Sequence, residues 1–189
     1  MVLSFDLNQL KGCIYSQNSA TLAAVDTSTS IAPAKLMMKS TSGKSYALRD
    51  WLTSFPFLLV AIDPYTAESS WILDTATRIF DHYSPADVRV GWICAADEQG
   101  CKKFLGPLAE NYLTFPDPDR EIISQLKLET LPALVHVRSD GFLQVANGWN
   151  PKAWSSVCDW ISTILAWSNT IVPVPSDPNR YTGTPAEGI

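Results

Sequence analysis

The chain has 189 residues, 46% of them hydrophobic, which is enough for one well-packed core with terminal appendages left over. Fourteen Lys and Arg against 19 Asp and Glu give a formal net charge of −5 without any long basic run, which excludes a phosphate-backbone footprint and so a nucleic-acid partner. The opening stretch MVLSFDLNQLKGC has no basic start, no continuous apolar run and no small-residue cleavage site, and no later segment approaches about 18 uninterrupted apolar residues. The expectation is a cytoplasmic protein that does not engage a membrane.

Residues 16–32 are rich in Ser, Thr and Ala with neither a helical stripe nor clean alternation, so 1–32 is expected to be an arm and flexible lead-in. Residues 36–40 suit a strand, Gly43 a turn, and 46–53 a short helix leading into the apolar run FLLVAI at 57–62, a strand buried on both faces. Ile72, Leu73, Ala76, Ile79 and Phe80 form one helical stripe, with Thr66 predicted to cap the start and Pro85 marking the end. Residues 88–94 (VRVGWIC) predict a second buried strand. The following helix would carry Cys101, Phe104, Leu105, Leu108 and Tyr112 inward and bend at Pro107.

A loop through Phe115, Pro116 and Pro118 precedes a short helix in DREIISQLKL, and Thr130-Leu131-Pro132 then opens a strand at 133–138. The Asp140-Gly141 turn joins it to a strand at 142–145. The last helix starts with Asn150 as cap and Pro151 at its first position, and Trp154, Val157, Cys158, Ile161 and Leu165 share one face. The closing stretch TIVPVPSDPNRYTGTPAEGI holds four prolines and two glycines, which predicts an extended or disordered tail over 169–189. The order β-α-β-α-β-β-α over 33–168 implies an α/β domain with a mixed central sheet covered by helices on both faces.

Two segments resemble a known family. The run APAKLMMKSTSGKSYALRDWLTSFPFLLVAID is similar to the opening of peroxiredoxin (AhpC/TSA) and TlpA-like proteins, where a strand, a Gly turn and a short helix precede the first core strand. The run TFPDPDREIISQLKLETLPALVHVRSDGFLQVANGW resembles their second half, with Leu131-Pro132 standing where the family has its cis-proline. The resemblance covers about residues 31–167 and implies a thioredoxin-like three-layer α/β/α sandwich. Active members carry Trp-Cys-x-x-Cys or Thr-x-x-Cys where the first core strand turns into a helix, because the helix N-terminus favours the attacking thiolate. Aligning FLLVAIDPYTAESSW on that junction puts Ala67 and Ser70 at the two cysteine positions. The buried carboxylate of thioredoxins falls on Ala61, with Asp63 close by.

The leading expectation is therefore a redox-inactive binding module that engages a protein or peptide partner, or itself as a homodimer. The resemblance places a peptide groove at Tyr65, Thr66, Ala67, Trp71, Thr130, Leu131 and Pro132, since the backbone beside the cis-proline pairs with substrate chain in active relatives. Trp160, Ile164 and Trp167 form a second apolar line on the last helix, the candidate interface unless the arm or the tail folds over them.

The alternative is a thiol-dependent oxidoreductase or peroxidase that uses a displaced dithiol. Cys94 closes the second strand and Cys101 begins the next helix, on the side where parallel strands end. Against it, Cys94 continues the Val88, Val90, Trp92 alternation and Cys101 lies on the apolar stripe, as packed cysteines do. Cys13 and Cys158 offer less. His136 lacks an identifiable nucleophile beside it, and Ser69 and Ser70 lack a G-x-S-x-G elbow, so no acid, base and nucleophile converge. None of the four cysteines is in a CxxC and the two histidines, His82 and His136, lie far apart, so neither a disulfide framework nor a metal nor another cofactor is expected.

Overall fold

The apolar run at 57–62 becomes the central strand of a computed structural model that describes residues 27–188. In order the elements are β1 (Ser28–Ile31), β2 (Met37–Lys39), β3 (Ser45–Ala47), α1 (Leu48–Trp51), β4 (Phe57–Ile62), α2 (Ala67–Trp71), α3 (Leu73–Tyr83), β5 (Arg89–Cys94), α4 (Glu98–Leu105) and α5 (Leu108–Asn111). They continue with β6 (Leu113–Pro116), α6 (Glu121–Gln125), β7 (Thr130–Leu131), β8 (Ala133–Val137), β9 (Phe142–Asn147), α7 (Pro151–Leu165) and β10 (Thr184–Pro185).

All six residues of β4 are buried, as a strand without polar alternates requires. It pairs parallel with β5 and antiparallel with β8 in a mixed sheet of order β1-β9-β8-β4-β5-β6. Alternation along β4 divides the core. Leu58, Val60 and Ile62 meet the side chains of α3, α4 and α7, whereas Phe57, Leu59 and Ala61 meet those of α1, α6 and the β2-β3 hairpin. This is the three-layer α/β/α sandwich with a mixed central sheet that the element order predicts.

Local chemistry explains most boundaries. Asn150 Oδ1 accepts from Lys152 N at 3.1 Å, and Pro151 fills the first helical position of α7. Trp154 then buries its ring completely, edge-on to Trp149 with centroids 5.0 Å apart, and donates through Nε1 to Gly148 O at 2.9 Å. The predicted bend at Pro107 is a break between α4 and α5, with Gly106 at φ +54°. Thr66 stands at the start of α2 without capping it through its side chain, and its Oγ1 donates to Asp63 O at 2.9 Å.

Three expectations are corrected. The ordered chain reaches back past Pro33, since β1 pairs antiparallel with β9, placing Thr29 opposite Gln144 and Ile31 opposite Phe142. Residues 1–26, with Cys13, lie outside the described residues. The supposed loop through Phe115 and Pro116 is the edge strand β6, held parallel to β5 so closely that a Cβ on Gly91 would stand 2.2 Å from Leu113 O.

The stretch expected as a disordered tail is instead a strap laid along the domain. Val172 enters the core on the α7 side, Arg78 Nη1 donates to Ile171 O, and Tyr181 and Trp149 exchange backbone hydrogen bonds of 3.1 and 3.0 Å. Its prolines forbid a helix, but an extended chain that pairs on one side accommodates them. Among the described residues, no helix is long and apolar enough to cross a membrane.

Candidate functional site

The junction between β4 and α2 is built by polar side chains rather than by cysteine. After Ile62 the chain turns at Asp63, whose backbone N donates to Ser69 Oγ at 2.9 Å and whose carbonyl takes both the N (3.1 Å) and the Oγ1 (2.9 Å) of Thr66. Ala67 and Ser70, at the two positions that the resemblance assigns to cysteine, are exposed at the head of α2. Ser70 Oγ donates to Ala67 O at 2.6 Å, inside its own helix, so no base activates it.

The carboxylate near this turn is Asp63, and Ala61 only packs in the core. Asp63 is 4% exposed and accepts from Tyr65 N at 2.9 Å and from Arg120 Nη2 at 2.6 Å. Arg120, at the start of α6 with φ +55°, points its other nitrogen into the strap, where Nη1 donates to Ala186 O at 2.8 Å. Beside it the buried Asp117 accepts from Ile122 N (3.1 Å) and Ile123 N (2.9 Å) at the start of α6. Burial raises the Asp117 carboxyl above its ordinary value, and these backbone bonds offset part of the rise.

The remaining groove candidates divide into an open and a covered set. Tyr65 and Trp71 are 78% and 51% exposed, and Trp71 meets Tyr181 of the strap edge-on at 5.3 Å. An open cleft of about 480 Å³ runs between the turn at Pro64 and Tyr65 and the start of α4. Leu131 and Pro132 are buried, and the Leu131-Pro132 peptide bond is cis. Thr130 and Leu131, which form β7, are already paired, antiparallel to Pro185 and Thr184. That occupant escapes sequence reading, which sees only the local composition of the strap.

Cys94 and Cys101 do come together. Ile62 and Cys94 are partners in register at the ends of β4 and β5, and Cys101 Sγ lies 3.8 Å from Cys94 O and 3.5 Å from Ala96 O. Both cysteines are completely buried and free. Contact with the Cys101 thiol, and then burial, push the Cys94 thiol far above the ordinary range. Burial likewise pushes Cys158 up to about 12. His136 is 2% exposed, with Leu58 and Gln144 as its partners in register and no hydrogen-bond partner on Nδ1. Burial pushes its ring down to about 4, which keeps it neutral.

On α7, Trp160 is half-buried and Ile164 is 40% exposed, but Trp167, expected on the same helix, lies beyond its end at Leu165 and is 38% exposed, because Ala166 turns the chain at φ +51°. The strap begins beyond Ala166. It leaves α7 towards α3, and Ser168 O takes Ser162 Oγ (3.1 Å) and meets His82 Nε2 (2.7 Å), while Trp167 Nε1 donates to His82 O at 3.1 Å. Among the described residues, no group of three or more His, Cys, Asp or Glu could hold a metal ion.

No family model matches the chain, and no curated protein matches it in sequence. Solved structures do match in shape. The thioredoxin domain of a thiol-disulfide oxidoreductase from Bacteroides vulgatus superposes with a TM-score of 0.55 at 14% identity, over 70% of this chain and 95% of that one. A secreted Mycobacterium tuberculosis disulfide oxidoreductase homologous to E. coli DsbE gives 0.51 at 22% identity, over 70% and 96%. The C45S mutant of peroxiredoxin 6 from Arenicola marina gives 0.53 at 14% identity, over 69% and 74%. The fold is thioredoxin-like, as the resemblance implies.

Proposed function

We propose that this thioredoxin-like domain is redox-inactive and works by binding extended polypeptide at the β7 edge. The observation that supports the reading is the head of α2, where Ala67 and Ser70 are exposed at the positions that the resemblance assigns to a nucleophilic and a resolving thiol. Neither supplies a thiolate. The chain pairing that a peptide partner requires survives this loss, because it uses the backbone of Thr130 and Leu131 rather than any side chain.

The rival is an oxidoreductase that uses Cys94 and Cys101, and burial argues against it. A thiol that attacks needs a depressed pKa and access to its substrate, whereas Cys94 has a raised pKa and, with Cys101, no exposed surface. The test is thiol modification of the native protein at pH 7, with each modified cysteine located by peptide mass, alongside insulin reduction. Cys94, Cys101 and Cys158 are expected to stay protected until the protein unfolds, and insulin to stay oxidised. Modification of Cys94 or Cys101 within seconds, or reversible oxidation of the pair, overturns the binding reading and puts the oxidoreductase in its place.

A further inference from the structure

The edge assigned to a partner is occupied by the chain itself. Thr184 and Pro185 run antiparallel to Leu131 and Thr130, Ala186 N donates to Glu129 O at 2.9 Å, and Arg120 ties Ala186 O to the same guanidinium that holds Asp63. Two residues of this segment show what the edge accepts. Gly183 adopts φ +85°, and a Cβ there would stand 2.4 Å from Leu131 O, so no side chain fits. Ala186 is 1% exposed in the core that contains Leu131, so a side chain longer than a methyl has to displace packed neighbours.

We propose that residues 182–187 are a ligand built into the chain: they fill the β7 edge in cis, and a peptide partner binds by displacing them and carries the same Gly-x-x-Ala pattern. This rests on the binding reading above and names its ligand class. Covalent linkage gives the internal segment an effective concentration in the mM range, so a partner must outcompete it. The anchors upstream keep displacement local. Asp177 is held by Arg78 and Thr75, and Tyr181 OH donates to Glu68 O at 2.8 Å, so the segment can leave the edge while the rest of the strap stays docked.

A labelled peptide with the sequence of residues 177–188 is titrated by fluorescence anisotropy into the unaltered full chain and into full-length Gly183→Val and Ala186→Asp variants. Both variants weaken only the internal competitor, so they bind the peptide at least about tenfold more tightly than the unaltered chain does. A peptide that itself carries Gly183→Val binds none of the three. Near-UV circular dichroism checks that each variant is folded. A readout free of variants is hydrogen exchange on the unaltered chain, where excess peptide speeds exchange of the Ala186 amide of the strap. Equal affinity for all three proteins, no binding at mM peptide, or an Ala186 amide indifferent to peptide overturns the proposal. Such failure with protected thiols removes this inference alone, whereas reactive thiols with insulin reduction remove the reading beneath it.

Discussion

Asp177→Ala tests what holds the strap against the domain. The Asp177 side chain is 4% exposed and accepts from Arg78 Nη2 at 2.8 and 2.7 Å, from Thr75 Oγ1 at 2.7 Å and from Val174 N at 2.7 Å. Breaking a fully buried pair costs about 3–5 kcal/mol. Here Arg78 is 32% exposed, so water rehydrates its guanidinium and reduces that loss. Thr75 is 1% exposed, and a buried hydroxyl left unpaired costs about 1–3 kcal/mol. Together these give about 3 kcal/mol, which raises the opening constant of the strap about 100-fold. Native-state hydrogen exchange reads this at the Tyr181 amide, bonded to Trp149 O, with the β4 amides as reference. Asp177→Asn keeps an acceptor and falls between the two. If Tyr181 in Asp177→Ala exchanges within about threefold of the unaltered chain, the carboxylate does not anchor the strap and the reasoning fails.

Two further expectations concern the core. Trp154→Ala removes a completely buried ring and its hydrogen bond to Gly148 O, and is expected to lower unfolding stability by about 3–5 kcal/mol in urea titration. A loss below about 1 kcal/mol would mean that Trp149 and α7 close over the cavity. His136 titrates at about 4 in the folded protein against an ordinary 6.5, with burial as the main cause and the charge of Arg138 the next. Its folded pKa is depressed, so the unfolded chain binds a proton that the native one refuses between those values. The contribution is fully present above pH 6.5 and is lost as pH falls towards 4, by at most about 3 kcal/mol. His136→Leu is expected to lose less stability than the unaltered chain between pH 7 and pH 5 in urea unfolding, and equal losses refute the assignment.

The parts of the fold legible in the sequence were those fixed by dense local patterns. FLLVAI is buried at every residue, the Asp140-Gly141 turn has Gly141 at φ +85°, and Asn150-Pro151 starts α7. β1 escaped because Ser28, Thr29 and Ile31 are exposed on an edge strand, which owes its order to pairing with β9 rather than to an apolar face. β6 escaped because Pro116 and Pro118 resemble loop punctuation, although a proline at the last position of an edge strand leaves no needed donor missing. In the candidate site the absence of cysteine at 67 and 70 could be read directly from the aligned run. The Asp63–Arg120 pair spans 57 positions and the pairing of β10 with β7 spans more than 50, and local pattern carries no trace of contacts at that separation.

β6 also leaves little for a foreign strand to pair with. A long sheet edge with free N–H and C=O groups invites addition of foreign strands, the first step towards fibrillar aggregates. β6 is four residues long, Thr114 O already accepts from Thr41 N at 2.9 Å, and Pro116 has no N–H to offer. That side of the sheet gives a growing fibril no template, so loss of native protein by aggregation has to begin elsewhere or after unfolding.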